Sequence, residues 1–281
     1  MTMVTAAPGV PTREHSRPVS TTPGRLRRWY SRAWPSALLL LAVLVAWELA
    51  VALLGVSEFV VAPPSAFAAE TWNSRELLLA AAWITTQEIL YGFLISVAVG
   101  VGLAVVIARF SWVDRAVYPL VVLFQVVPKV ALAPIFILWF GYGVTPKLLL
   151  VVVIAFFPIT LNMLVGLRSI DPDLLLLMKS VGATRNQILA RIQIPTSLPY
   201  LFAGMRIAIT LAVIGAVVAE FAGASDGLGY LIQFASTQLD TPLMFSALIL
   251  VSLLGLVLYY GMSLAEFALA RRFPHITAES Q

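Results

Sequence analysis

Six long apolar stretches constrain this chain more than any other feature: Ser36–Leu54, Ile89–Ala108, Ala116–Phe140, Leu148–Leu167, Pro199–Ala219 and Leu243–Ala265. A helix needs about 20 mainly apolar residues to cross the hydrocarbon core of a bilayer. Only helices or closed barrels satisfy their backbone polar groups in lipid, and these stretches are far too long for strands, so their Val and Ile content does not argue for a barrel. The expectation is an all-α integral membrane protein with about six transmembrane helices. Composition agrees: 60% of the 281 residues are hydrophobic and 11% charged, against about 25% charged in soluble domains. The formal charge of +4 is small and the chain has no cysteine. Disulfides, thiolate metal sites and cysteine nucleophiles are therefore excluded, and nucleic acid is not an expected partner.

Residues 1–34 read as a basic cytoplasmic N-terminus. The first 24 are rich in Pro, Ser, Thr and Gly, a composition expected to be disordered, and Arg25, Arg27, Arg28 and Arg32 follow. The apolar run after them is longer than the core of a typical secretory signal and ends in no small-x-small cleavage site, so it reads as an uncleaved first span. Residues 35–270 form the expected transmembrane domain, and 271–281 a cytoplasmic tail. Lys and Arg set the orientation. With the N-terminus inside, fifteen of them fall on the cytoplasmic side, counting Arg206 near the start of span five. Only Arg75 and Lys147 fall outside. Both termini are therefore expected in the cytoplasm. The first outer loop has room for a short interfacial helix around Ala66–Thr71, and the outer loop Phe221–Thr241 carries Gly223, Gly227 and Gly229.

The segment 171–195 is polar enough to leave the membrane yet too short to hold a core of its own. Asp171 suits an N-cap and Pro172 the first helical position, so a short helix is predicted from about Pro172 to Val181. Gly182 permits a sharp turn, and Thr184 is placed to cap a second helix through about Ile192. Pro195 is expected to end that helix before Pro199 begins span five. A compact helix-turn-helix at the cytoplasmic surface results.

This arrangement resembles the "EAA" loop of membrane subunits of bacterial binding-protein-dependent ABC importers, a Glu-Ala-Ala triplet followed by a glycine and a terminal Ile-x-Leu-Pro. Gly182 matches the glycine, and Ile194-Pro195 or Ser197-Leu198-Pro199 occupies the end. Leu176, Leu177 and Met178 stand at the triplet, so the acid is missing. Val127 to Gly141, Phe157-Pro158-Ile159 with Asn162 and Gly166-Leu167-Arg168, and Ala219 to Gly223 with Gly227 to Ile232 are similar to segments of the nitrate/sulfonate/taurine-type permeases. The likeness runs in order over roughly residues 35–275 and implies the type I ABC importer permease fold with a cytoplasmic coupling helix-turn-helix. By that resemblance the chain is a permease subunit in a bacterial cytoplasmic membrane, passing a small polar or anionic organic solute. Its implied partners are a second copy, two ATP-binding subunits and an extracytoplasmic solute-binding protein. ATP and Mg would belong to the ATPase, and no G-x-x-x-x-G-K-[ST] loop occurs in this chain. Implied ATPase-docking residues are Leu176, Gly182, Ala183, Thr184, Arg185, Ile188 and Leu189, with apolar contact through Ile188 and Leu189 standing in for the missing acid.

Within the spans, Lys129 beside Pro128 is a deep charge, which usually faces a cavity or a partner. It either lines the pathway with Gln125 or pairs with an acid such as Glu220 or Glu48; a span broken at Pro128 would place it shallower. Gly204, Ala208, Ala212 and Ala216 make a smooth ridge on span five. Such a ridge allows close helix packing, either inside one subunit or across a two-fold axis lining the pathway. Glu220 continues it, to gate or to reach the interface. Gly92, Ser96 and Gly100 read as a packing ridge, and Asn162 as an interhelical or solute contact. The pathway candidates are thus Gln125, Lys129, Asn162, Ala212, Ala216 and Glu220. His15 and His275 have no partner at ligand spacing, so no metal site is expected. Trp29, Trp34, Trp112, Trp139, Tyr142 and Tyr259 fit an interfacial belt. A secondary carrier is disfavoured by the scarcity of acids in the spans and the short helical loop. An intramembrane enzyme is disfavoured because Asp114, Asp171, Asp173, Asp226 and Asp240 all lie outside the predicted spans and no H-E-x-x-H occurs.

Overall fold

A computed structural model describes the backbone of residues 25–272 and the side chains of 34–271 apart from Ala270. The expectations placed on 1–24 and 273–281, His15 and His275 included, lie outside these residues, as does the Trp29 side chain. The chain divides between Leu49 and Ala50 into two compact units. The first holds most of helix α1 (Arg25–Leu54), of which Trp34–Leu54 is long and apolar enough to cross a membrane.

The second unit continues with α2 (Pro64–Asn73), α3 (Arg75–Arg109), α4 (Ser111–Val126), a tight turn of helix at Lys129–Leu132, α5 (Ala133–Phe140) and α6 (Val144–Arg168). Then come α7 (Pro172–Ser180), α8 (Arg185–Ile188), a wide turn at Leu189–Gln193, α9 (Ile194–Gly223), α10 (Leu228–Gln238) and α11 (Thr241–Arg272). Among the described residues five helices are long and apolar enough to span a membrane, or six if the pair flanking Pro128 counts as one. The all-α membrane architecture is as expected, and α2 covers the short helix foreseen at Ala66–Thr71.

Several boundaries differ. Span two begins at Arg75, not Ile89, because Thr85 and Glu88, which interrupt the apolar pattern, find partners inside the protein. Span three is not one helix over Ala116–Phe140: α4 and the Lys129–Phe140 segment meet at 92°. Pro128 has no N–H to continue the ladder and forces Val127 into extended conformation (φ −62°, ψ 131°). The outer loop after Phe221 also contains α10, whose short amphipathic sequence falls below the length of a span.

The core is a three-helix seam with α6 in the middle. On one side a Cβ added to Gly92 would lie 2.4 Å from Val151 Cγ1, and one on Gly100 2.9 Å from Ile159. On the other, a Cβ on Gly204 would lie 2.8 Å from the Pro158 carbonyl. Ala208, Ala212 and Ala216 are fully buried beside Ala155 and Ile159 in the same cluster. The ridge on span five therefore packs within one subunit, as the Gly92–Gly100 ridge does. Lipid tails are as apolar as these side chains, so small residues hold helices together through close contact.

Gly204→Ala should lower stability by about 1–3 kcal/mol, because the backbone carbonyl it meets cannot yield. Gly102, with open space around its Cα, should gain about 0.5–1 kcal/mol as Ala. Thermal unfolding of the two purified variants in detergent checks this, and equal effects would contradict the seam.

Candidate functional site

The helix-turn-helix forms as local chemistry dictates. The Asp171 carboxylate accepts from the Asp173 N–H at 2.8 Å, and Pro172 opens α7. The helix closes at Gly182 (φ +77°), whose N–H donates to the Lys179 carbonyl at 3.0 Å while the Ala183 N–H donates to Met178 at 2.9 Å. This pair of bonds satisfies the last carbonyls of α7 and requires a residue at ease in the left-handed region. Thr184 then caps α8 reciprocally with Gln187: the Gln187 N–H donates to Thr184 Oγ1 and the Thr184 N–H to Gln187 Oε1 at 2.8 Å.

Pro195 does not end the second helix. Arg185–Gly223 runs on as one 39-residue span. The Ile194 N–H reaches back five residues to the Leu189 carbonyl, and this widened turn absorbs one extra residue just before the proline. Ile188, expected to face outward, is 6% exposed, and half-buried Leu189 packs on an internal cluster that includes Ile107, Val113, Leu164 and Leu167. The large apolar residues left most exposed are Leu176, Leu177 and Val181, at 62%, 58% and 70%. Arg185 and Thr184 are exposed beside them. Two bonds fasten the elbow to the spans: Arg109 Nε donates to Asn186 Oδ1 at 3.0 Å, and Gln193 Nε2 to the Leu167 carbonyl at 3.1 Å. Arg168 pairs with Asp114 close by.

The membrane candidates fare differently. Ala212 and Ala216 line no pathway within this subunit, since both are fully enclosed by its own helices. Glu220 is 1% exposed, so it does not snorkel to the surface of this subunit. It accepts from Thr85 Oγ1 at 2.7 Å and from the Gly229 N–H at 2.5 Å, while Thr85 Oγ1 accepts from the Leu228 N–H at 2.8 Å. Glu220 thus holds the N-terminus of α10, where a carboxylate is favoured. Gly227 (φ +101°) lies so close that a Cβ there would overlap Glu220 Oε1 at 2.1 Å. Lys129 does not pair with Glu220. It sits at the break in span three, half-buried, donating to the Gln125 carbonyl at 3.0 Å with its ammonium 4.8 Å from the Phe157 ring centre. Gln125 is exposed. Asn162 donates to the Pro158 carbonyl of its own helix at 2.8 Å, so it bonds within α6.

A second group was not foreseen. Lys147, placed in the outer loop by its sequence, is 6% exposed and bonds Glu88 at 2.7 Å and Asp226 at 3.1 Å. Glu88 precedes the apolar run from Ile89 and Lys147 the run from Leu148. That pairing of opposite charges at two span ends was the available signal. Together with Glu220 and Thr85 they tie α3, α6, α9 and α10 at one end of the bundle. Beside them a cavity of about 300 Å³ opens between Tyr142–Val144 and Gly223–Asp226.

A family described as binding-protein-dependent transport system inner membrane component matches residues 96–272. The chain belongs to this family. The permease is 37% identical to the formylaminopyrimidine transport permease of Halalkalibacterium halodurans, over 83% of its own length and 92% of that protein. It is 36% identical to the riboflavin transport system permease of Chloroflexus aurantiacus, over 92% and 98%. A putative aliphatic sulfonates permease of Bacillus subtilis is 29% identical over 90% and 91%. The fold is also that of the inward-facing MetNI methionine ABC transporter, with a TM-score of 0.61 and 20% identity over 71% of this chain and 97% of that one. This permease is thus the membrane subunit of an ABC importer, a role that implies ATPase and binding-protein partners.

The buried charges generate a test. Lys147→Met leaves Glu88 buried without its ammonium, and removing one member of such a pair costs about 3–5 kcal/mol. Asp226, half exposed, should lose under about 1 kcal/mol as Asn. Folded yield by size-exclusion chromatography should fall sharply for the first and little for the second. Equal yields would overturn the ranking.

Proposed function

We propose that this permease forms the translocation pathway of its importer as a homodimer, and that residues 171–195 receive the ATPase subunits. The observation that carries this reading is the elbow itself. It combines a Schellman-closed helix, a capping box and an exposed apolar patch with hydrogen bonds to the ends of α3 and α6. The apolar docking contact passes from Ile188 and Leu189 to Leu176, Leu177 and Val181, with Arg185 offering a cation to an acidic groove. Leu176 thereby fills with apolar contact the position where the family pattern has glutamate. Ala183 and Thr184 hold the turn. ATP and Mg belong to the partner ATPase.

The elbow and both termini lie on the cytoplasmic side of a bacterial cytoplasmic membrane in this reading, as the Lys and Arg distribution favours. Gln125 and Lys129 at the broken span, and half-buried Asn162 on α6, remain the pathway candidates that are not sealed in the core. The solute is a small polar or anionic organic molecule delivered by an extracytoplasmic binding protein. Relatives named for formylaminopyrimidine and riboflavin, at 37% and 36% identity, weigh toward a planar nitrogen heterocycle over the sulfonate relative at 29%.

Gly182→Asp puts a side chain and a negative charge on the left-handed turn, and Leu176→Asp with Leu177→Asp removes the patch. Each should leave the permease inserted, with a native mass of two copies, while the ATPase no longer co-purifies and binding-protein-stimulated hydrolysis is lost. Wild-type retention of the ATPase in both would refute the docking role, and a monomeric native mass in the wild-type complex would refute the homodimer.

A further inference from the structure

Alternate faces of α9 have opposite character. Gly204, Ala208, Ala212 and Ala216 are sealed against α6, whereas Tyr200, Ile207, Thr210, Ile214 and Phe221 follow one another at helical spacing and are exposed. Midway along this open face a groove of about 430 Å³ is bounded by Ala203, Arg206, Ile207, Thr210 and Leu211 of α9 and by Tyr259 of α11.

The groove is chemically unlike a lipid-facing surface. Exposed residues of α11 such as Leu253, Leu256 and Val257 are aliphatic. Here a guanidinium, a hydroxyl and a phenol share one recess. Arg206 lies within the long helical span Arg185–Gly223, where a charge usually faces a partner or a water-filled cavity. Its Nε and Nη2 reach Glu266 at 3.3 and 3.5 Å, which leaves Nη1 outside that contact. Its Nη1 donors and the Tyr259 hydroxyl have no partner among the described residues. Thr210 Oγ1 makes one long bond, 3.3 Å, to the Arg206 carbonyl.

We propose that this groove is a solute station in the half of the pathway nearer the 171–195 elbow. It rests on the pathway-forming role proposed above. Its occupant is a small planar molecule bearing a carbonyl, carboxylate or sulfonate oxygen. The oxygen meets the free edge of Arg206, the ring lies against Tyr259, and Thr210 is within the same recess. The volume falls in the range of about 300–1,000 Å³ usual for small-molecule sites.

The chain has no cysteine, so single cysteines report access directly. In the assembled complex, reconstituted in lipid, Thr210→Cys and Ile207→Cys should react with a positively charged methanethiosulfonate at least about tenfold faster than Val257→Cys. Val257 lies two residues, about 200° around the helix, from Tyr259. Millimolar benzoate, a planar carboxylate probe, should slow labelling of Thr210→Cys several-fold where choline does not, and Tyr259→Ala should abolish that protection. Labelling no faster than at Val257 means lipid covers the groove, and spontaneous disulfide between copies means the second subunit does. Fast labelling without benzoate protection means open water with no station. Each of these overturns the proposal. Co-purification of the ATPase is scored in every variant, so failure of the station is distinguished from failure of the importer assembly.

Discussion

Helices in a bilayer gain nothing by hiding apolar surface from one another, so they must be held by close contact and by polar bonds that lipid cannot offer. The seam along α6 supplies the first. Gly92 and Gly100 let α3 approach from one side and Gly204 lets α9 approach from the other, close enough that backbone lies against side chain. This closeness fixes how near each helix comes to its neighbour. Because α6 is set against both partners, its two ends are set too. Leu167 meets Gln193 at one end, and Lys147 meets Glu88 at the other.

The charged cluster adds register to that closeness. In an apolar medium a lysine and a glutamate buried apart are each very unfavourable, and buried together they are tolerable only when well bonded. A slide of one helical turn between α3 and α6 would separate Glu88 from Lys147. Glu220 works likewise between α9 and α10, where a carboxylate, a threonine hydroxyl and two backbone N–H groups close on one another. The cluster is weak evidence of stability and strong evidence of specificity. It selects one alignment of four helices that the smooth glycine and alanine surfaces would allow to slip.

What was legible in the sequence was what depends on short stretches of chain. Apolar length gave the spans. Asp171, Pro172, Gly182 and Thr184 each act within a few residues of themselves, and all four behave as their chemistry requires. What depends on the far side of a contact was not legible. The early start of α3 depends on Lys147, distant in sequence, to make Glu88 acceptable within a helix. The facing of Ala212 and Ala216 was open because a small-residue ridge fits a neighbour in the same chain as well as one in another. Ile188 is apolar on an amphipathic helix, and nothing local says whether its apolar face meets the bundle or a partner. Pro195 misled because its usual effect, ending a helix, was absorbed by one bond reaching back five residues.

That absorbed proline has a mechanical consequence. Had the chain broken at Pro195, the elbow would hang on a flexible joint, and force applied to it would be lost in rotation about that joint. Instead α8 continues into α9 through a single widened turn, so a push on the elbow is carried along the helix. The path runs past the groove at Arg206 and ends at Glu220, which grips the N-terminus of α10. Bonds from Arg109 and Gln193 hold the near end against α3 and α6, and the hydrogen-bond ladder is interrupted at the wide turn Leu189–Gln193 and again at Pro199. On the proposed docking role, this continuous helix is the element that would join the docking surface to the far end of the bundle, with its softest points close to the elbow.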